Sequence, residues 1–263
     1  MDLVQSLRRP PMPSLRFVPV WRRNFRVWRK LLLPSLMGNF GEPLLYLLAL
    51  GYGFGRLVGQ VDDLPYRVFL SAGIVCSSAM TAASFEALYS AYTRMAMQQT
   101  WAAMLSAPLE VDDVILGEIL WAATKALLNS AAILIVAALL GLVNGWQAVL
   151  VLPVVFMAGL CFAAIAMVVT MLSRSYDFFM YYFTLVITPM LLLSGVFFPL
   201  HSLPPIVADG ALLLPLAHIV MLVRPLMTGS FPSAAVLHLV VTLLYALLGF
   251  WLASGLARRR LNR

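Results

Sequence analysis

Side chains with the types and spacing needed for catalysis or nucleotide binding are sparse in this sequence. A phosphate-binding loop needs Gly-Lys-Ser/Thr, but Lys30 follows Arg29, Lys125 follows Thr124, and the chain has no other lysine. The 3 histidines are scattered, and neither HExxH nor GxSxG occurs. The 2 cysteines stand alone in apolar runs. The sequence therefore predicts no catalytic residue, no metal site and no ATP hydrolysis by this chain.

Residues 93–125 form the only interior stretch that is rich in polar side chains. It contains Arg94, Gln98, Gln99, Glu110, Asp112, Asp113, Glu118 and Lys125. This stretch is too polar for a membrane span, so we predict a water-exposed segment of two helices separated at Pro108. Asp112 and Asp113 favour the start of the second helix, where the helix dipole stabilises negative charge.

The helix ahead of Pro108 has a methionine-rich apolar surface. Such a surface suits insertion into a groove on a partner protein. We predict that the segment receives force from that partner through Arg94, Met97, Gln98, Trp101, Met104 and Leu105. The alternative is that these side chains pack under the chain's own membrane spans.

Two glutamates fall inside apolar runs, where a charge at the bilayer centre costs at least about 2.5 kcal/mol. Glu42, just before Pro43, either faces a conduit or makes a structural hydrogen bond at a proline-broken helix. Glu86 lies near the inner end of its run, so we expect it to reach water, as we expect of Lys125 at a membrane boundary. His238 is interpreted as hydrogen-bonded between helices rather than as a proton relay.

Aromatic side chains are concentrated in the sequence YDFFMYYF, residues 176–183. They form either an aromatic belt at the membrane interface or a stacking platform for sugar rings or acyl chains, and both roles are compatible on different faces. The candidates for a substrate path are Glu42, Tyr46, Phe85, Tyr89, Phe179, Tyr182 and Phe183.

The elements that must position these residues are membrane helices. The chain is 62% hydrophobic and 11% charged, with a mean hydropathy of +0.92, whereas soluble domains have about 25% charged residues. A helix needs about 20 apolar residues to cross the hydrocarbon core. Six runs meet this requirement: residues 31–54, 68–91, 126–143, 146–172, 178–199 and 234–256. We therefore predict an all-α polytopic membrane protein with six transmembrane helices.

A seventh apolar run, residues 210–223, is too short to span and is interrupted by a proline. HSLPP precedes it and RPLMTG follows it, so we predict a re-entrant helical hairpin over residues 200–230. Irregular backbone at membrane depth survives only against protein or a wet cavity. The residues assigned to the hairpin are Pro199, His201, Pro204, Pro215 and Arg224.

The basic residues set the orientation. With a cytoplasmic amino terminus, fourteen arginines and lysines fall inside and only Arg56, Arg67 and Arg224 fall outside. This is a firm positive-inside pattern, so both termini and residues 93–125 are predicted to be cytoplasmic. The net charge of +7 then reflects membrane topology, and we predict no nucleic-acid partner.

The chain divides into four predicted parts. Residues 1–14 form a flexible, proline-rich tip. In residues 15–30, aromatic side chains and arginines occupy opposite faces, as in an amphipathic helix lying on membrane lipids. Residues 31–256 form the transmembrane domain, and residues 257–263 a basic cytoplasmic tail. Six spans can hardly enclose a path for a bulky solute, which favours a symmetric pair of chains, a homodimer.

Three motifs carry a resemblance to a known family: APLEVDDVILGEILWAATKA (residues 107–126), LVITPMLLLSGVFFPLHSLP (185–204) and LPLAHIVMLVRPLMTG (214–229). The chain, from residue 15 onward, resembles the membrane subunits of ABC-2 type exporters, and within them the nodulation protein J branch of lipo-oligosaccharide exporters. The proline-rich tip does not belong to the family pattern.

The resemblance implies a type V ABC exporter fold in the bacterial inner membrane, with two copies of this permease and two ABC ATPase subunits. The partner subunit then binds ATP and Mg²⁺, and this chain binds no cofactor. The helix at 15–30 and the helix at 95–105 would contact the ATPase, the first, second and fifth spans would line the conduit, and the hairpin would cap it. The expected substrate is a lipo-oligosaccharide, glycolipid or polysaccharide-like amphiphile.

Two other functions remain open at this point. An ABC-2 type multidrug or antibiotic efflux permease fits the aromatic residues. An ATP-independent channel or carrier is the second alternative, although no internal repeat of the kind common in secondary transporters is evident.

Overall fold

The computed structural model describes residues 6–7, 9–12, 14–30, 41 and 43–261, and most of them are helical. The helices are α1 (Phe17–Lys30), α2 (Pro43–Val58), α3 (Tyr66–Met97), α4 (Thr100–Leu105), α5 (Val111–Leu139), α6 (Trp146–Leu172), α7 (Asp177–Leu193), α8 (Pro205–Ala211), α9 (Pro215–Met227) and α10 (Ala235–Leu261). Between α2 and α3, strands β1 (Gln60–Val61) and β2 (Leu64–Pro65) form a short antiparallel hairpin.

Within the described residues, four helices are long and apolar enough to cross a membrane: α3, α5, α6 and α10. The count becomes five if α8 and α9, which meet at 85°, are taken as one bent span. The fourth predicted span coincides with α6. Part of the first predicted span lies outside the described residues, and α7 is shorter than the roughly 20 residues that a crossing needs. The six-span architecture therefore stays a prediction.

Helix α3 lies at the centre of the molecule, packed against α5, α6 and α9. Small residues on α3 allow the backbone of neighbouring segments to approach this helix closely. A Cβ added at Gly73, for example, would lie 2.6 Å from the carbonyl oxygen of Val196. In contrast, α10 leaves most of its leucine and valine side chains exposed, as expected for a helix that faces lipid.

The two helices predicted on either side of Pro108 are present, because α4 ends at Leu105 and α5 begins at Val111; residues 93–97 of the segment belong to α3. Helix α3 continues to Met97, and the chain then turns at Gln99, which adopts the left-handed conformation (φ 52°). After the short helix α4, α5 begins at Val111 and continues unbroken through the predicted start of the third span. Asp113 caps the start of α5 by accepting from the backbone N–H of Glu110, which confirms the predicted position of the acidic pair.

The start of α5 contacts the segment before α1 and the last turns of α10. The backbone N–H groups of Met12 and Ser14 donate to Asp112 (3.1 Å) and Asp113 (2.7 Å). Arg258, near the end of α10, pairs with Asp112. Within the described residues, Met12 and Ser14 of the predicted tip are thus held against α5, and α10 runs into the segment predicted as a basic tail, as far as Leu261.

Helix α1 packs its aromatic face on α5 rather than leaving it open. Val20 is buried where it meets Gly117, and a Cβ at Gly117 would lie 2.6 Å from the Val20 side chain. Trp21 donates its indole N–H to Thr124 (3.0 Å), and the ring of Trp28 meets that of Trp121 edge to face. The predicted amphipathic helix is thus present, and part of its apolar face is covered by protein.

Candidate functional site

A buried network of ion pairs joins the end of α3 to α5. Arg94 Nη2 lies 2.9 Å from Glu86 Oε1 and 2.5 Å from Glu118 Oε2. Lys125 Nζ lies 2.8 Å from Glu86 Oε2. Two cations and two carboxylates are thus paired within one cluster, which offsets the cost of removing four charges from water.

Two indole groups complete this ion-pair network. Trp121 donates to Glu86 (2.9 Å), and Trp101, in α4, donates to Glu118 (3.1 Å). The Glu118 side chain is fully buried and that of Glu86 is 3% exposed. The network therefore connects α4, α3 and α5 through hydrogen bonds to two shared carboxylates.

The network corrects two predictions about membrane-boundary charges. Glu86 and Lys125 were expected to reach water separately, but they pair with each other and are largely buried. The attraction between the two opposite charges offsets the free energy that each group loses when it is removed from water. Glu118, in turn, pairs with Arg94 on another helix.

The predicted partner-binding residues are only partly exposed. Trp101 is completely buried, which corrects its assignment to an exposed apolar surface, because its indole N–H donates to the buried Glu118 in α5. Met97 is 67% exposed and Gln98 is also exposed. Met104 and Leu105 are half-buried, and Arg94 belongs to the ion-pair network.

A cavity of about 330 Å³ lies between α2, α3, α5 and α7. Its polar lining consists of Ser77, Ser78, Thr81 and Asn129, and its aromatic lining of Tyr46, Phe85 and Phe197. Among the described residues, no charged side chain lines this membrane cavity. Glu42, the one acid predicted for the substrate path, lies outside the described residues.

The other aromatic candidates lie beside this cavity rather than in its wall. Tyr89 stacks on Phe85 at 4.5 Å between ring centroids and meets Phe179 edge to face at 5.2 Å. Phe183 lies 6.2 Å from Tyr89, and Tyr182 is buried next to it. Phe85, Tyr89, Phe179, Tyr182 and Phe183 thus form one continuous aromatic group, and Tyr46 and Phe85 line the cavity.

The prolines assigned to the predicted hairpin lie at or just before helix starts. Pro204 immediately precedes α8, Pro215 is the first residue of α9, and Pro199 precedes a short turn. Proline is favoured there because its missing N–H would have no helical partner. His201, in this turn, is exposed and lies 3.7 Å from Asp62 in the β1–β2 turn.

Arg224, near the end of α9, contacts both α3 and the loop after α7. Its guanidinium group lies 3.7 Å from the ring centroid of Phe69 in α3 and donates to the carbonyl oxygen of Gly195 (2.5 Å). The cation–π contact and the hydrogen bond hold α9 against α3 and the loop after α7.

Two histidines join α9 to α10. The Nδ1 atoms of His218 and His238 lie 2.8 Å apart, and His218 Nε2 lies 2.8 Å from the carbonyl oxygen of Leu212. A carbonyl only accepts, so His218 Nε2 carries a hydrogen, and in the neutral ring Nδ1 accepts from His238. The interhelical hydrogen bond predicted for His238 is confirmed.

Replacing His238 by phenylalanine should lower the free energy of unfolding by about 1 to 2 kcal/mol, because His218 Nδ1 then loses its donor in a buried site. His238→Asn is the matched variant, since its amide can donate from nearly the same position. Thermal unfolding of the two purified variants in detergent checks this. An equal loss in both would mean that this hydrogen bond does not stabilise the packing of α9 on α10.

No group of three or more histidine, cysteine, aspartate or glutamate side chains in the described part of the chain is arranged to hold a metal ion.

The ion-pair network itself was missed by sequence reasoning, although a signal was present. Glu86 and Arg94 are eight residues apart, and Glu118 and Lys125 seven, so each pair lies on one face of its helix about two turns apart. Two helices that each carry one acid and one base in this way can neutralise each other when they pack side by side.

Comparison with known proteins gives one family and a consistent set of relatives. The family described as ABC-2 type transporter matches residues 17–228. Nodulation protein J of Rhizobium leguminosarum bv. viciae is 48% identical over 96% of this chain and 98% of its own length. The proteins of the same name from Rhizobium leguminosarum bv. trifolii (47% identical, 96% of this chain, 97% of the relative) and Rhizobium meliloti strain 1021 (46%, 95%, 96%) are similarly related.

Proposed function

This chain belongs to the ABC-2 type transporter family, and from that premise we propose that it is the permease subunit of an ATP-driven exporter in the bacterial inner membrane. Two copies of the chain form a homodimer, and two ABC ATPase subunits bind ATP and Mg²⁺ on the cytoplasmic side. The substrate is an amphiphile of the lipo-oligosaccharide class. The similarity to nodulation protein J over nearly the whole chain supports this choice of substrate class.

The ATPase binds the exposed turn between α3 and α4, which we name the coupling tip and define as residues 97–103. Met97, Gln98, Ala102 and Ala103 are exposed there. Movement of the tip reaches α5 through the Trp101–Glu118 hydrogen bond and α3 through Arg94. Trp101 acts as an internal link and not as a contact with the ATPase.

The membrane cavity between α2, α3, α5 and α7 forms part of the substrate path. Its hydroxyl and amide groups suit hydrogen bonding to sugar hydroxyls, and its aromatic rings suit apolar contact with rings or acyl chains. A binding site of this kind drives transport only if its affinity for the substrate differs between the two states of the cycle.

The exposed apolar faces of α2 and α7 lie in the dimer interface. Leu45 and Leu48 on α2 and Leu185 on α7 are all exposed in the single chain, and both helices border the membrane cavity. A second copy placed against these faces closes the path from the lipid. Both termini are cytoplasmic in this arrangement, as the basic residues favour.

The observation that carries this proposal is the buried ion-pair network that joins the coupling tip to α3 and α5. The test is ATP-dependent uptake of a labelled lipo-oligosaccharide into inverted membrane vesicles. Vesicles with this chain and its ATPase should accumulate the substrate, and vesicles with the chain alone should not. Concentrative uptake by the chain alone would contradict the proposal.

Filling the membrane cavity should slow export. Thr81→Phe places an aromatic ring where the substrate would lie, so the rate of ATP-dependent uptake should fall roughly tenfold. Thr81→Ser keeps the hydroxyl and adds no volume, so it should transport normally. Copurification of the ATPase with both variants shows whether assembly is intact, and undiminished uptake by Thr81→Phe would exclude this cavity from the path.

A further inference from the structure

A second cavity, of about 300 Å³, lies where α1 crosses the end of α3 and the middle of α5. We name it the α1 cavity. Arg23, Asn24 and Trp28 line it from α1, Glu86 and Arg94 from α3 and Lys125 from α5. It is open at one side and is separate from the membrane cavity, because the two have no lining residue in common.

The charges around the α1 cavity do not cancel. Arg94 and Lys125 are balanced by Glu86 and Glu118 in the ion-pair network. Arg23 has no carboxylate partner within the described part of the chain, and its Nη1 donates only to Asn24 Oδ1 (2.9 Å). One positive charge is therefore in excess.

The electrostatic surroundings of Arg23 reflect this excess. Burial, together with the nearby Arg94 charge, lowers the pKa of Arg23 from its ordinary value, and the Glu118 carboxylate offsets only part of this effect. A negative group in the cavity would reverse that effect, because an opposite charge stabilises the guanidinium cation.

Asn24 supplies an independent indication of a ligand. Its side chain is 3% exposed, and its Nδ2 donor has no hydrogen-bond partner in the described residues. Buried polar groups are nearly always paired, and an unpaired donor is costly. The Oδ1 atom of the same amide already accepts from Arg23. The Nδ2 atom of Asn24 therefore requires a hydrogen-bond acceptor, which a ligand in this cavity would supply.

We propose that the α1 cavity binds a phosphate group carrying net negative charge, with Arg23 and Asn24 Nδ2 as its donors. Guanidinium and amide N–H groups are well suited to phosphate oxygens. The exposed basic residues of α1, among them Arg22, Arg26 and Arg29, raise the local concentration of anions. The phosphate belongs either to the headgroup of an anionic phospholipid or to free phosphate. This binding does not require transport or the ATPase.

The test uses the full chain purified in detergent, with phosphatidylglycerol as the probe and phosphatidylcholine as the zwitterionic reference. Native mass spectrometry counts the lipid molecules that each variant retains. Arg23→Gln and Asn24→Asp should each reduce the affinity for phosphatidylglycerol roughly tenfold, the effect of losing a charged hydrogen bond. Asn24→Asp is informative because its carboxylate neutralises Arg23 and occupies the place of the anion.

Arg29→Gln is the matched control, since it removes the same charge from an exposed position of the same helix. It should change affinity by less than about twofold. Equal losses in Arg23→Gln and Arg29→Gln would mean diffuse attraction to a basic helix and would overturn the proposal, as would no loss in Arg23→Gln. Adding sodium phosphate at constant ionic strength identifies the source: displacement of the lipid shows that free phosphate also binds, and retention assigns the site to the headgroup.

Discussion

Glu118→Gln is expected to be among the most destabilising single substitutions in this protein, lowering the free energy of unfolding by about 3 to 5 kcal/mol. The Glu118 side chain is fully buried and accepts from both Arg94 and Trp101. Glutamine preserves the shape and one acceptor but removes the charge, so the ion-pair network is left with two cations and one carboxylate. Thermal unfolding of the purified chain in detergent measures the loss.

A second substitution tests whether charge balance is the cause. Replacing Arg94 by glutamine together with Glu118→Gln leaves only the neutral Glu86–Lys125 pair, so the double variant should be more stable than Glu118→Gln alone. Asp63→Asn, at an exposed position, serves as the control and should stay within about 0.5 kcal/mol of the parent. Additive losses in the double variant would show that packing, and not charge, makes Glu118 important.

Features that depend on local sequence were predictable. The apolar run at residues 146–172 coincides with α6, and the acidic pair lies in the first turn of α5. Both predictions depend on properties of residues that are neighbours in the sequence, namely the hydropathy of the run and the helix dipole. They can therefore be made without knowing how the helices pack.

Features that depend on which helices meet were not predictable in the same way. Glu86 and Lys125 each look costly inside a membrane when considered alone, which led to the prediction that they reach water. They pair with each other across two helices, and only the packing of α3 on α5 brings these groups to within 2.8 Å. Trp101 was misassigned for the same reason, because an apolar residue on a short helix gives no indication of whether it faces a partner or the chain's own core.

The location of the substrate path was partly predictable. Tyr46 and Phe85 were proposed from their aromatic character and position in the predicted spans, and both line the membrane cavity. Its hydroxyl groups were not singled out, since serine and threonine are common in membrane helices that pack closely. Their significance depends on the space that the packing of four helices leaves open.

Met97→Asn should nearly abolish export while leaving the chain folded and inserted. Met97 is 67% exposed on the coupling tip and contributes apolar area without supporting the core. If it inserts into a groove of the ATPase, an amide at this position loses the contact, and uptake should fall at least about thirtyfold, as for a hot-spot residue. ATP-dependent uptake into inverted vesicles and copurification of the ATPase are the two measurements.

Met12→Asn is the matched control for this prediction, because Met12 is 72% exposed and lies outside the coupling tip. It should transport at nearly the parental rate. Met97→Leu retains an apolar side chain of similar size and should also preserve most of the activity. Loss of both uptake and ATPase binding in Met97→Asn alone would place the contact at the tip. Full uptake by Met97→Asn would instead mean that the ATPase drives this chain through another surface, and the role of the buried link from Trp101 to Glu118 would then be structural.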